Sequence, residues 1–279
     1  MSFRSAYAVE RGQRPDLEAI DAGDTGDFAD EDAACETIAR DRDRLRTLQR
    51  RLYAERRRSL LIVLQAPDAG GKDGAARHLA TAVDPRGVAV HAFSVPTPEE
   101  AAHDFLWRVH KAVPAHGQIA VFNRSHYEDV LVPRVHGTLP DGEIAKRLKR
   151  IVDFEKLLAQ NGTTIVKCYL HVTRAEQLRR LEARLDDPEK RWKVDPDDYI
   201  ERARWDDYRA AYEDAIERTN RRRAPWFVIP ANHKWFRNVV VTRIAIETLE
   251  AMDPQVPEPL ADVEALRRRF HPAGTPRSE

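Results

Sequence analysis

The segment LIVLQAPDAGGKDGAARHLA, residues 61–80, constrains this chain more than any other stretch. An apolar run over 60–65 passes directly into Ala66-Pro67-Asp68-Ala69-Gly70-Gly71-Lys72 and then into an alanine-rich helical stretch. Adjacent glycines let a backbone approach an anion closely. The N–H groups of such a turn, with the positive end of the helix behind them, form a cradle for negative charge. The spacing from Ala66 to Gly71 and Lys72 matches the Walker A template, in which the lysine reaches the outer phosphates. Two positions depart from it. Ala66 stands where Gly is usual, which is tolerable if the turn needs no positive φ there. Asp73 replaces the Ser or Thr whose hydroxyl normally holds Mg²⁺. Asp68, inside the loop, is then the natural metal ligand, because a carboxylate beside phosphate needs a cation between them.

Four more apolar runs, over 88–94, 119–122, 164–172 and 226–230, alternate with helical patterns. That alternation predicts an α/β fold with a parallel sheet covered on both faces. Thr97, Pro98 and Glu100 form a capping box that opens a helix. Ile144, Leu148, Ile151 and Leu158 mark one face of another helix, which ends at Gly162. Residues 29–58 read as a helix with Ile38, Leu45, Leu48 and Leu52 on one stripe and charge on the other. Residues 1–28 are polar and aperiodic and read as an extended arm. Residues 29–254 form the main domain, with a lid at about 184–200, and 255–279 form a surface tail with a brief helix.

The 46 basic and 46 acidic residues balance, so a basic site must be local, and the net basic excess of a nucleic-acid binder is missing. No run reaches the roughly 18 apolar residues of a membrane span, and the N-terminus lacks the apolar core of a signal peptide. Cytoplasmic placement is expected. Cys35 and Cys168 are too few and too dissimilar in setting to suggest a disulfide; Cys168 reads as a lone buried thiol.

Two further clusters carry chemistry. In IAVFNRSHYEDVLVPRVHG, residues 119–137, a strand ends in polar residues, where doubly wound folds place their sites. Arg124 is placed to clamp a transferring phosphoryl group, and Glu128 or Asp129 to hold Mg²⁺ or its waters. Asn123 occupies the strand-end position where an acid is usual, and His126 reads as a structural histidine. In RLEARLDDPEKRWKVDPDDY, residues 180–199, Lys190, Arg191 and Lys193 surround Trp192 in a loop suited to closing over a phosphate donor. Arg184, on the preceding helix, supplies another phosphate contact.

With these clusters, the phrases VLQAPDAGGKDG, PTPEEAAHDFLWRVHKA, FNRSHYEDVLVPRVHG, EKRWKVDPDDY and APWFVIPANHKWFRN occur in one order across residues 45–254. Together they resemble the polyphosphate kinase type 2 family of P-loop phosphotransferases. The resemblance implies a thymidylate-kinase-like fold with a five-stranded parallel sheet and a helical lid. It implies reversible phosphoryl transfer between inorganic polyphosphate and a nucleotide, with Mg²⁺ or Mn²⁺. The family's loop Asp and Lys fall on Asp68 and Lys72, its strand-end Arg on Arg124, and its basic lid residues on Lys190, Arg191 and Lys193. The form with Asn123 is similar to the branch that accepts AMP as well as ADP; adenine and guanine are both open as the base. Members are usually homodimers or homotetramers. Gly70 stands where the family often has Ala, and glycine there is expected to loosen the turn rather than block it. The phosphate-binding set is then Ala69, Gly70, Gly71, Lys72, Asp73 and Gly74, and Arg77, His78 and Arg134 are candidates for a track of positive charge. Two other readings stand beside this one: an ATP-dependent nucleoside or nucleotide kinase of the same fold, and a non-catalytic polyphosphate- or nucleotide-binding protein. Turnover of AMP with polyphosphate and no ATP separates them.

Overall fold

The computed structural model describes residues 2–270. Five strands, β1 (Ser59–Gln65), β2 (Val88–Ala92), β3 (Ile119–Asn123), β4 (Thr163–His171) and β5 (Trp226–Pro230), form one parallel sheet in the order β2-β3-β1-β4-β5. All seven residues of β1 are buried, as a central strand covered on both faces requires. The register sets Leu64 beside Asn123, so the turn after β1 and the polar cluster after β3 emerge side by side. In sheets of this kind that edge, at the carboxyl ends of the strands, is where ligands bind.

The helices follow in chain order: α1 (Phe3–Tyr7), α2 (Glu31–Glu55), α3 (Lys72–Ala82), α4 (Pro98–Ala101), α5 (Trp107–Ala112), α6 (Glu128–Val135), α7 (Asp141–Gln160), α8 (Arg174–Asp186), α9 (Pro196–Ala203), α10 (Trp205–Thr219), α11 (Lys234–Met252) and α12 (Val263–Phe270). α2, α3 and α11 bury their apolar stripes against one face of the sheet, and α6, α7 and α10 against the other. In α2 the stripe consists of Leu45, Leu48 and Leu52; Ile38, two turns earlier, is only half-buried. Ile144, Leu148, Ile151 and Leu158 are buried on α7, and Gly162 follows it at φ 89°. Cys168 is a buried free thiol in β4.

The Thr97 capping box forms, but the helix expected behind it is broken into α4 and α5. Asp104 makes the break: its side chain accepts from Leu106 N at 3.0 Å and its carbonyl from Trp107 N at 3.0 Å, a local alternative to the helical ladder.

Residues 2–28 do not extend away from the domain. Val9 N donates to Trp226 O at 3.0 Å, Ala8 bridges Phe227, and Leu17 and Ala22 are buried. β5 is an edge strand with unpaired backbone groups, and the arm covers it. A few isolated anchors do this, too sparse to register as a periodicity. Residues 271–279 of the expected tail lie outside the described residues. Among the described residues no helix is long and apolar enough to cross a membrane.

Candidate active site

The turn after β1 is held by its carbonyls. Lys72 Nζ donates to Ala66 O at 2.7 Å and Pro67 O at 3.0 Å. Tyr212 Oη from α10 donates to Ala66 O at 3.1 Å, and Gln177 Nε2 from α8 to Asp68 O at 3.0 Å. Arg180 reaches Ala69 O at 3.2 Å, and Arg237 of α11 reaches Gly71 O at 3.1 Å. Gly70 N is taken by Pro67 O at 3.0 Å; with the carbonyls turned to these donors, the loop's other N–H groups are left for a ligand. Gly71 caps α3 without a side-chain bond, so the first N–H groups of that helix add to the set.

Sterics explain the loop's residues. Ala66 is not among the residues at positive φ, so alanine suffices there; the left-handed positions are Ala69 at φ 57° and Gly71 at φ 102°. Gly70 does not loosen the turn, as its sequence context suggested. A Cβ there would lie 2.6 Å from Ala66 Cβ and 2.7 Å from Pro67 O, so glycine is what lets the turn close. A Cβ at Gly71 would meet the Arg237 guanidinium at 2.1 Å.

Arg124 follows β3 at φ 62°, a conformation that costs a non-glycine residue roughly 1 kcal/mol and that its neighbours must hold. Its N–H donates to Leu64 O at 3.1 Å, and Nη2 meets Asp68 Oδ1 at 2.5 Å. Burial works against its charge, but Glu128 and Asp68 outweigh this and raise its pKa. Burial pushes Lys72 the other way, only partly offset by Asp68. Burial also raises Glu128, against the pull of Arg124 and Lys72.

Asp73 accepts from Asn123 Nδ2 at 2.7 Å and from Lys193 Nζ at 3.2 Å. Burial opposes its charge, yet these two bonds hold its carboxyl below the usual range. The residue that replaces the usual hydroxyl thus ties α3 to the end of β3 and to the lid. Arg184 braces the lid from within, bonding Asp198 at 2.7 Å and Lys193 O at 3.3 Å.

These groups line a cleft of about 600 Å³ with ten basic and four acidic side chains on its walls, an environment built for a polyanion. The structure brings Asp68, Ala69, Gly70, Gly71, Lys72, Asp73, Gly74, Arg77, Asn123, Arg124, Arg184, Lys190 and Lys193 to its surface. It does not bring the others. Glu128 sits behind Arg124 with its closest approach at 4.0 Å. Asp129 is paired with Arg108 at 3.2 Å, and its carbonyl accepts from Arg147. His78 bonds Thr242 at 3.1 Å, Arg134 pairs with Asp214, and Arg191 donates to Leu185 O. Position along a helix decides these cases: a residue one place off the facing side meets a different neighbour, and strand-end spacing does not reveal which. His126 is fully buried, 3.4 Å from Glu155, whose other oxygen takes Lys167 at 2.7 Å; these are structural contacts.

Sequence reasoning missed Arg179, Arg180, Lys234 and Arg237, which line the other side of the cleft from α8 and α11. The signal was present: Arg180 and Arg184 are one helical turn apart, as are Lys234 and Arg237, and both helices follow strand ends. Burial, and then the nearby Arg180, lower Arg237 to about 10.

Among the described residues no group of three or more His, Cys, Asp or Glu side chains is placed to hold a metal ion. Magnesium-type ions are commonly held by only one or two carboxylates, with substrate phosphates and water completing the shell. Asp68, at the rim of the phosphate loop, with Glu128 behind it, fits that pattern.

A central strand running into a phosphate loop, in a sheet of order β2-β3-β1-β4-β5 under a basic lid, defines a P-loop phosphotransferase. Residues 29–257 match the family profile described as Polyphosphate kinase 2. The chain belongs to the polyphosphate kinase 2 family. It is 49% identical over 254 residues to an AMP/ADP-polyphosphate phosphotransferase of Meiothermus ruber, covering 91% of this chain and 95% of that one. It is 42% identical over 228 residues to an ADP-polyphosphate phosphotransferase of Rhodopseudomonas palustris, covering 77% and 79%. A crystal structure of polyphosphate kinase 2 from Arthrobacter aurescens superposes with a TM-score of 0.93 at 42% identity, covering 96% of each chain.

Proposed function

We propose that the protein transfers a phosphoryl group reversibly between inorganic polyphosphate and AMP or ADP. One observation carries the reading: an outward-tied phosphate loop opens into a strongly basic cleft, and an Asp occupies the position of the usual hydroxyl. Ten basic side chains suit a chain of many phosphates better than the two or three of a nucleoside triphosphate. The relatives' names agree with this donor and acceptor.

The roles follow from position. Loop N–H groups and Lys72 grip the polyphosphate end. Arg124, held in its left-handed conformation, places its guanidinium against the equatorial oxygens of the moving group. Asp68 fixes Arg124 and takes part in holding Mg²⁺ or Mn²⁺, with Glu128 in support. When bound, that ion would neutralise negative charge on the phosphates of donor and acceptor. Lys190 and Lys193 bring the lid down and keep water, the competing acceptor, away. No base is needed at the acceptor, because a terminal phosphate with a second pKa of about 6 is already ionised near neutral pH. Donor and acceptor bonds are both phosphoanhydrides, so neither direction is strongly favoured. For the assembly, the family resemblance supports a homodimer or homotetramer, which sedimentation would measure.

The test is incubation of purified protein with Mg²⁺, polyphosphate and AMP or ADP, without ATP, with the products separated by chromatography. ADP and ATP should form from AMP, and ATP from ADP. Absence of product with polyphosphate, alongside turnover with ATP as donor, would make the protein an ordinary nucleotide kinase.

A further inference from the structure

Between Arg124 and Glu128 the chain passes through the interior. Ser125, His126 and Tyr127 are each 0% exposed, and α6 begins directly after them. Short-range bonds shape this turn: Arg124 N donates to Leu64 O at 3.1 Å, Glu128 N to Ser125 O at 3.0 Å, and Tyr127 N to Ser125 Oγ at 3.2 Å. None of these reaches past the turn and the neighbouring strand. The left-handed backbone at Arg124 needs a further hold, one that fixes the buried triplet against the rest of the domain.

That hold is a polar network in the core. Tyr127 Oη donates to Glu155 Oε1 of α7 at 2.8 Å and accepts from Lys167 Nζ of β4 at 3.0 Å. The same Nζ donates to Glu155 Oε2 at 2.7 Å and to Thr219 O, at the end of α10, at 2.9 Å, which uses every proton of the ammonium. His126 Nε2 lies 3.4 Å from Glu155 Oε1. Elements distant in sequence thus converge on adjacent residues of one turn. Burial lowers Lys167 to about 8, against the pull of Glu155, which leaves the ammonium charged at neutral pH. A buried ion pair seldom adds stability over apolar residues of the same volume. What it adds here is direction: each bond ties one atom to another at a set angle, whereas apolar contacts slide.

We propose that Glu155, Lys167 and the Tyr127 hydroxyl are positioning residues for phosphoryl transfer. They touch no ligand. They act through Arg124, just before the buried triplet, and keep its guanidinium in the path of the moving phosphoryl group. The inference rests on the role given to Arg124 above. A reacting group misplaced by about 1 Å can lose on the order of a hundredfold in rate, so slackening of the turn should reach kcat well before the fold gives way.

The test is a mutant cycle on ATP formation from ADP and polyphosphate, with calorimetric melts to show which variants are folded. Tyr127→Phe removes one hydroxyl and leaves Lys167 bonded to Glu155 and Thr219. Glu155→Gln keeps the shape of the side chain and removes its charge. Each should lower kcat about tenfold with both KM values within about twofold, since the contact of Arg124 is made in the transition state. In an Arg124→Ala background the same substitutions should lower kcat by less than about twofold, because the group they position is gone. A role confined to stability would cost the same factor in both backgrounds. A loss of about fivefold or more in either folded variant that vanishes in the Arg124→Ala background upholds the assignment. Losses below about fivefold in every folded variant, or a loss that persists in the Arg124→Ala background, overturn it. Full activity of Arg124→Ala alone would also overturn it, and would trace the failure to the role of Arg124 rather than to the network.

Discussion

Replacing Lys72 with Met separates what the loop needs to fold from what it needs to act. Lys72 is 7% exposed, and burial disfavours its charge. Its two bonds go to Ala66 O and Pro67 O. Neither carbonyl would be left bare, because Tyr212 Oη still donates to Ala66 O at 3.1 Å and Gly70 N to Pro67 O at 3.0 Å. Losing two charge-assisted bonds costs about 1.5–3 kcal/mol each where no other donor is present, and less here. Against this, removing a buried cation in favour of an apolar side chain of similar length commonly returns about 1–4 kcal/mol. The two nearly cancel, so stability should stay within about 2 kcal/mol of wild type, a melting shift of no more than about 5 °C. Turnover should fall by about 10²–10³, or about 2.7–4 kcal/mol of transition-state stabilisation, the usual loss of a preorganised charged donor. The assay pairs kcat for ATP formation from ADP and polyphosphate with a calorimetric melt. Residual activity above about a tenth would refute the role of Lys72. A melting point lowered by more than about 10 °C would refute the claim that the loop frame stands without it.

Gly70→Ala should cost activity by displacing the loop, since its Cβ would meet Ala66 Cβ at 2.6 Å and the Pro67 carbonyl at 2.7 Å; kcat is expected to drop by at least about tenfold, and unchanged kinetics would contradict the packing argument. Because phosphate contacts release counterions, raising salt from about 50 to about 200 mM should raise KM for long polyphosphate at least tenfold. Lys190→Gln should reduce the slope of that dependence by about one; a salt-insensitive KM would remove the basic cleft as the polyphosphate track. His78, bonded to Thr242 and lowered to about 4 by burial and then by Arg237, is neutral in the native state over a range where the unfolded chain binds a proton. Stability should therefore fall as pH drops from about 6.5 toward about 4, by on the order of 1–2 kcal/mol after allowing for its partial exposure. His78→Gln should remove that part of the slope in melts recorded across the window, and an unchanged slope would assign it elsewhere.

What the sequence determined by itself was local and periodic. Five apolar runs alternating with amphipathic stripes suffice for a parallel sheet between helices, because burial on one or two faces leaves a period that can be counted. The phosphate loop was legible for a similar reason: Gly71 and Lys72 stand at fixed spacing between a strand and a helix, and the chemistry follows from that contiguity. Tertiary structure decided everything that depends on which way a side chain turns and what crosses to meet it. Glu128 and Asp129 are neighbours in sequence, yet one backs Arg124 and the other pairs with Arg108. Gly70 is required by atoms that only the closed turn brings near. The clamp on the loop carbonyls comes from α8, α10 and α11, more than a hundred residues away, so no local pattern could announce it. Direction and long-range approach are set by packing, and packing is a property of the folded whole.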